Sequence, residues 1–280
     1  MRLELDETAQ PFAQWLLDVG HGQETAEDTT IRLPNYMKVN DINSLIDFIY
    51  DDISSDNCPP PPPEYFLDRA ILAARNDHVN EINTQVLTRL SGEERVYTSA
   101  DSIVLEEGAD GHNPYPPEFL QSLNAPGLPP SELRLKHGCP LILLNNLAPS
   151  RGLCNGTRLI LLQMSNRVLE VKILGGDHHG EVALIPRISL IPSSDTADFP
   201  FTLRRRQFPV RLAFAMSINK AQGQSVKFVG LNLCAPVFMH GQLYVGLSRA
   251  TAGHRIRVLF PEGVEEPITS NIVYPEVLLT

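Results

Sequence analysis

The sequence has few of the features that mark secreted, metal-binding or membrane-spanning proteins. Four cysteines occur in 280 residues, and no two of them form a C-x-x-C motif. Zinc sites and disulfide frameworks depend on clustered cysteines, so we expect neither, and a reducing compartment is the simpler expectation. No apolar run is long enough to span a membrane, and residues 1–7 lack the apolar core of a signal peptide. The sequence therefore predicts a protein that is neither secreted nor held in a membrane.

Two signatures of a complete nucleotide site are also missing. The sequence contains no G-x-x-x-x-G-K-[ST], the loop whose backbone amides hold nucleotide phosphates. It has no apolar strand that ends in Asp-Glu, because the pair Asp51-Asp52 follows an apolar pattern with helical spacing. We therefore do not expect these residues alone to hold the phosphates and Mg²⁺ of a nucleotide.

Acidic residues are missing from one long segment of a chain whose net charge is −10. Residues 1–58 contain 12 acidic and 3 basic side chains, whereas residues 199–261 contain 9 basic side chains and no acidic one. Such a segment predicts a local positive field that attracts phosphate, and ordinary solvated surface charges are the alternative. The basic residues of the segment are Arg204, Arg205, Arg206, Arg211, Lys220, Lys227, Arg249, Arg255 and Arg257.

The order of apolar patterns predicts an α/β protein with an all-β insertion. Proline-rich sequence at Pro59–Pro63 fits neither helix nor sheet and marks a boundary. Helices are predicted at 12–17, 42–50, from Asn76 onward and at 239–248. Strands of a parallel sheet are predicted at 69–74, 211–218, 226–233 and 255–260. Short strands of a small antiparallel barrel are predicted at 139–144, 157–162, 167–173 and 181–186.

Two segments, 217–224 and 244–250, carry the candidate chemistry. Parallel sheets place functional loops after their strands, and residues 217–224 follow a predicted strand. Four side chains in this segment suit contacts with the phosphates and sugars of a single-stranded nucleic acid, and Gly223 lets the backbone approach a ligand. The alternative is a strand-to-helix turn without a function. Those side chains belong to Ser217, Asn219, Lys220 and Gln224.

His178 and His179 beside Asp177 suggest a metal cluster, but their flanking glycines predict a hairpin turn, so no metal site is expected.

Segments 213–225 and 241–251 resemble the fifth and sixth motifs of superfamily-one helicases. Their sequences most resemble those of the petite-integration-frequency (PIF-type) 5′-to-3′ DNA helicases, especially the Helitron-transposon branch. The string Gly152-Leu153-Cys154-Asn155-Gly156-Thr157 resembles the accessory barrel of that family, a Src-homology-type fold. The resemblance implies a second RecA-like, P-loop-class motor domain that a β-barrel interrupts. Its implied divisions are a remnant of the first RecA-like domain at 1–58, the second domain at 59–115 and 205–280, and the barrel region at 116–204.

The resemblance also implies roles for single residues. Arg249 would stabilise charge on the γ-phosphate of ATP, with Gly246 and Gly223 allowing close approach to the nucleotide. Arg249 could instead neutralise a helix C-terminus. Arg75 would sense the nucleotide from the end of a strand, or else pair on the surface with Asp77 or Glu81. The implied contacts to single-stranded DNA are Ser217, Asn219, Lys220, Gln222 and Gln224.

The implied activity is that of an ATP-dependent DNA helicase whose ATP and Mg²⁺ are held mainly by a first RecA-like domain, supplied in cis or trans. We therefore expect the chain alone to lack ATP hydrolysis. The resemblance implies a nuclear setting, with mitochondria as the alternative, and roles in DNA repair, recombination and telomere maintenance. Two other interpretations stay open: a non-hydrolysing module that binds single-stranded DNA or a partner, and a transposon relic without selected activity.

Overall fold

A computed structural model describes residues 9–22, 29–53, 61–104, 115–192, 199–274 and 276. The chain divides into two compact units. The parallel-sheet unit consists of the chain up to Arg89 and from Phe214 onward, and the antiparallel unit runs from Leu90 to Ala213. The predicted boundary at 58/59 lies outside the described residues.

The described residues form five α-helices and seventeen strands. The helices are α1 (Ala9–His21), α2 (Ile42–Ile49), α3 (Asn76–Arg89), α4 (Pro117–Ser122) and α5 (Gln242–Leu247). The strands are β1 (Thr30–Arg32), β2 (Lys38–Val39), β3 (Arg69–Ala73), β4 (Arg95–Thr98), β5 (Ala100–Ile103), β6 (Glu132–Leu135), β7 (Pro140–Leu143), β8 (Arg158–Met164), β9 (Val168–Leu174), β10 (Val182–Pro186), β11 (Ile188–Leu190), β12 (Leu203–Gln207), β13 (Val210–Leu212), β14 (Ala215–Ser217), β15 (Phe228–Asn232), β16 (Ile256–Leu259) and β17 (Ile268–Ser270). No helix in these parts of the chain is long and apolar enough to cross a bilayer.

The parallel-sheet unit is built on a five-stranded sheet in the order β14-β3-β15-β16-β2, and every neighbouring pair is parallel. Four consecutive residues are buried in both β3 and β15, as expected for strands covered on both faces. A side chain at Gly230 would meet Leu45 and Ile49 of α2, whereas one at Gly246 of α5 would meet Leu231. Since successive strand residues face opposite sides, α2 and α5 cover opposite faces. The segments on either side of the insertion therefore close one parallel sheet, as predicted.

The first part of the chain belongs to the same unit. Asp41 accepts a hydrogen bond from the backbone N–H of Ser44 and so caps α2, which buries Leu45, Ile46 and Ile49. Strand β2 extends the parallel sheet beside β16. Ile31, Leu33 and Met37 are buried in the same core as residues of the parallel sheet. The assignment of residues 1–58 to a remnant of a first RecA-like domain stays a prediction.

The antiparallel unit contains three sheets, in the orders β10-β9-β8-β7-β13, β11-β12-β5 and β4-β6. The four predicted short strands are β7 to β10, each shifted by at most two residues at its ends. The limits of the unit lie at 89/90 and 213/214, whereas the predicted limits were 115/116 and 204/205.

The predicted single strand at 211–218 is wrong, because it is two strands in two units. Strand β13 pairs antiparallel with β7, and β14 pairs parallel with β3. The backbone N–H of Ala213 donates to the carbonyl of Pro140, while the carbonyl of the next residue, Phe214, accepts from Ile71. An uninterrupted apolar run gives no sign of this change of sheet.

Candidate nucleotide and nucleic-acid site

Arg249 lies just after α5 and connects the two polar segments that carry the predicted chemistry. Its Nη1 donates to the carbonyls of Gln224 at 2.9 Å and Ala221 at 3.4 Å. Its backbone carbonyl accepts from Val226 at 3.0 Å. Side chain and backbone of one residue therefore hold the end of the loop that follows β14.

The same guanidinium also closes the end of its own helix. Nε donates to the carbonyl of Val245 at 2.8 Å, and Nη2 donates to the Ser248 hydroxyl at 2.8 Å. Val245 provides one of the carbonyls that a helix end leaves without a helical partner. Burial lowers the pKa of Arg249, yet a guanidinium stays charged. The alternative role, a cation at a helix C-terminus, is thus part of what this arginine does.

No carboxylate forms an ion pair with Arg249 among the described residues. The four hydrogen bonds that its side chain makes with described residues end on neutral oxygens, three carbonyls and one hydroxyl. Neutral dipoles orient a guanidinium without cancelling its charge. The group is therefore held in place and still able to attract an anion.

The loop from Ser217 to Gln224 begins at the carboxyl end of β14 and then crosses the sheet. A turn of 3-10 helix, Ile218–Ala221, buries Ile218 and Ala221 and exposes Asn219 and Lys220. Gln222 and Gly223 are exposed and Gln224 is partly exposed. Gly223 has φ +81, and no atom lies within 4 Å of the position that a Cβ would take, so backbone conformation favours glycine there and the space above the loop is open.

A buried glutamine that was not among the predicted site residues positions this loop. Gln242 is 3% exposed; its Oε1 accepts from the backbone N–H of Phe238, and its Nε2 lies 3.5 Å from Asn219 Oδ1. Asn219 in turn donates to the sulfur of Met239 at 3.2 Å. A polar residue at the start of an apolar helix was the available signal, because such a side chain needs partners when it is buried.

Gly246 and Arg75 have contacts that bear on their predicted roles. A Cβ at Gly246 would lie 2.8 Å from a methyl carbon of Leu231, which is fully buried, so this glycine allows α5 to pack on the sheet. Arg75 makes a two-point hydrogen-bonded ion pair with Asp77, 2.7 Å from Nη2 to Oδ2, which raises the pKa of Arg75. The nucleotide roles of both residues stay predictions.

Several basic residues of segment 199–261 are buried or have partners. Arg205 is 1% exposed and pairs with the buried Asp101 in the antiparallel unit. Lys227 pairs with Asp68, and Arg257 lies 4.0 Å from the ring centre of Phe48. The local field that composition predicts is therefore weaker than nine free cations would produce.

The histidine pair of the insertion lies in the predicted hairpin turn. His178 pairs with Glu181, and the His179 ring accepts from the backbone N–H of Gly175. No cluster of metal-ligating side chains occurs in the part of the chain that the structure describes.

Comparison with known proteins identifies the family. The model of the DNA helicase Pif1 2B domain matches residues 118–164. "ATP-dependent DNA helicase PIF1" from Xenopus laevis is 30% identical over 192 residues, and the human protein of the same name is 33% identical over 191 residues; each alignment covers 67% of this chain. The chain belongs to the Pif1 helicase family. It spans only 27% of the Xenopus protein and 26% of the human protein.

Solved Pif1 structures share the fold. The crystal structure of Pif1 helicase from Candida albicans matches 96% of this chain and 57% of that chain, with a TM-score of 0.60 at 23% identity. The Bacteroides Pif1 helicase in complex with ADP-AlF3 and ssDNA matches 99% of this chain and 53% of that chain, with a TM-score of 0.57 at 19% identity. The predicted membership of the PIF-type helicase family and the predicted α/β fold class are confirmed. Assignment to the Helitron branch stays a prediction.

Proposed function

We propose that this chain is the C-terminal portion of an ATP-dependent DNA helicase that translocates on single-stranded DNA. One observation carries the proposal: the guanidinium of Arg249 is bonded to the loop 217–224 and has no carboxylate partner among the described residues. A group that responds to a phosphate is thus joined directly to the segment proposed to contact DNA. The names of the Pif1 relatives and the ADP-AlF3 and ssDNA of the Bacteroides complex support the same activity.

The hydrogen bonds of Arg249 suggest how the two sites communicate. A guanidinium has five N–H donors, and four contacts to neutral oxygens occupy Nε, Nη1 and part of Nη2. A γ-phosphate that approaches Nη2 gains a charge-assisted bond, and it competes with the carbonyls of Ala221 and Gln224 for the rest of the fork. Arrival or loss of that phosphate would then tighten or release the loop that carries Lys220.

The proposed division of labour leaves nucleotide binding to a first RecA-like domain outside these residues. Magnesium ions prefer carboxylate and phosphate oxygens. The described residues contain no cluster of acidic side chains that fits such an ion. We infer from the absence of a G-x-x-x-x-G-K-[ST] loop in this sequence that ATP and Mg²⁺ are held by the intact helicase, and we expect the chain alone not to hydrolyse ATP. A nuclear setting, with mitochondria as the alternative, stays a prediction from the resemblance to the family.

Binding of single-stranded DNA by the chain tests the DNA half of the proposal. Fluorescence anisotropy with a labelled dT oligomer should give weak binding that falls steeply with salt and does not depend on base sequence. Lys220→Ala should weaken binding, because Lys220 is exposed three residues after β14 ends. Lys227→Ala is the matched control: it removes the same charge at the opposite, amino end of β15, where Lys227 already pairs with Asp68. Equal effects of the two variants would contradict the assignment of the loop.

A second function, a module that binds single-stranded DNA without hydrolysis, is compatible with a sequence that contains a polar loop at 217–224 but no G-x-x-x-x-G-K-[ST]. Joining the chain to a P-loop-bearing Pif1 domain separates the two. DNA-stimulated ATP hydrolysis that appears in the fusion and disappears with Arg249→Ala supports the helicase. DNA binding without such hydrolysis supports the module.

A further inference from the structure

Three large apolar side chains are exposed together next to the loop 217–224. Phe238 is 57% exposed, Met239 46% and Tyr274 49%. Single exposed apolar residues are common on protein surfaces, but neighbouring ones bordered by polar groups mark an interaction site. Their shared exposure therefore marks this surface as a candidate binding site.

Hydrogen bonds fix this surface to the rest of the unit. The backbone N–H of Phe238 donates to Gln242, and that of Gly241 donates to the carbonyl of Ile272 at 2.9 Å. His240 stacks on Tyr274, with ring centres 5.5 Å apart and planes 14° apart, and its Nδ1 accepts from the Tyr274 backbone at 2.9 Å. Rings held in this way lose little conformational entropy when they bind a ligand.

Polar and charged groups adjoin the same surface. The amide of Asn219 contacts the sulfur of Met239, and Lys220 follows Asn219 as an exposed cation. No acidic residue occurs between positions 199 and 261. A positive group beside flat apolar rings is the combination that binds single-stranded nucleic acid without regard to sequence, because phosphates meet the cation and bases stack on the rings.

We propose that Phe238, Met239 and the His240–Tyr274 pair form a base-stacking surface for single-stranded DNA. The inference rests on the proposed function. It gives a binding surface to the bases of the single-stranded DNA whose phosphates are proposed to lie near Lys220. Loss of one stacked base typically weakens binding roughly fivefold or more. Stacking would also hold bases while the loop 217–224 changes its grip on the backbone.

The test compares two oligomers of equal length and charge, one of dT and one of abasic sites. The full chain should bind the dT oligomer about tenfold more tightly, and Phe238→Leu should remove most of that preference, because leucine keeps apolar volume but has no ring face. Tyr274→Leu should act in the same direction, and Phe238→Tyr should retain the preference. Leu17→Ala, at a position 47% exposed on α1, is the control and should change neither affinity.

The outcomes separate the two proposals. Equal affinity of the unaltered chain for both oligomers overturns the stacking surface and leaves DNA binding through the phosphates in place. A dT preference that survives Phe238→Leu and Tyr274→Leu overturns it as well. Absence of binding to either oligomer overturns the proposed function itself. Unchanged thermal unfolding of the variants shows that any loss comes from the surface and not from misfolding.

Discussion

Arg205 is buried and Arg249 is partly buried, and the protein compensates their charges in opposite ways. In the antiparallel unit, Arg205 is 1% exposed and faces Asp101, whose side chain is 0% exposed. Three carbonyls take up other donors of that guanidinium. In the parallel-sheet unit, the Arg249 guanidinium donates to neutral oxygens within the described part of the chain. The first arginine is neutralised within the fold, whereas the second keeps a net charge that a ligand can use.

The difference teaches how to separate a structural arginine from one that acts on a ligand. Burial lowers the pKa of Arg249, and no carboxylate among the described residues forms an ion pair with it. A buried ion pair such as that of Arg205 is already complete, so an arriving anion gains nothing there. Incomplete charge compensation is therefore the signature that favours Arg249 as the functional residue.

The largest expected effect is on catalysis. In a fusion that supplies the first RecA-like domain, Arg249→Ala should lower kcat about a thousandfold, because charge stabilisation in phosphoryl transfer has this size. Arg249→Lys keeps the charge but cannot bridge Ala221, Gln224 and Val245 together, so it should also be impaired. Steady-state ATP hydrolysis with saturating DNA measures both. An unaltered kcat in Arg249→Lys would show that catalysis needs only a positive charge at this position and not the planar guanidinium.

Stability should respond most strongly at Arg205. Arg205→Ala leaves the carboxylate of Asp101 buried without its partner, and we expect a loss of about 3–5 kcal/mol in the free energy of unfolding. Arg204→Ala, one position away and exposed on the same strand, is the matched control and should change little. Denaturant unfolding followed by circular dichroism would decide. A small effect at Arg205 would show that the pair is not a main support of the antiparallel unit.

Two glycines of the candidate site should respond differently to the same replacement. Gly246→Asn must fit new atoms against Leu231 and should destabilise by about 1–3 kcal/mol through overpacking. Gly223→Asn should be tolerated, because asparagine accepts positive φ and no atom lies within 4 Å of the new Cβ. Thermal unfolding compares the variants. Equal destabilisation would mean that packing does not explain Gly246.

The smallest effect is expected at Arg75. Its pair with Asp77 is exposed, so Arg75→Ala should leave unfolding unchanged. In the fusion, a fall in kcat with unaltered stability would support the predicted nucleotide-sensing role. Asp77→Asn is the control that frees Arg75 without removing it, and unaltered kcat in both variants would reduce the pair to a surface contact.

The periodic parts of the fold followed from the sequence because they depend on local patterns. Strand β3 and helix α3, for example, appear where their apolar spacing predicts them. The motif around Arg249 was also recognisable. The hydrogen bonds of Arg249 could not be predicted from the sequence, because Gln224 lies 25 positions away and comes within reach only after the chain has folded.

The run Arg204-Arg205-Arg206 shows both the reach and the limit of sequence reasoning. Alternation along β12 places Leu203, Arg205 and Gln207 inward and Arg204 and Arg206 outward. That period was readable, and it would have separated the buried cation from its neighbours. Its partner Asp101, 104 positions away, could not be identified, because nothing local indicates which strand pairs with β12.

The return of the chain to the parallel sheet after the insertion has a consequence for folding. Asp68 and Lys227 meet across 159 positions, and β3 pairs with both β14 and β15. A longer connection lowers the free energy of unfolding only slightly, because each doubling of loop length adds about 0.6 kcal/mol to the cost of loop closure. A longer connection slows folding much more, because distant strands must find each other. During synthesis, the antiparallel unit is therefore expected to form first, as a continuous segment, and β3 must wait with an unpaired edge until β15 leaves the ribosome.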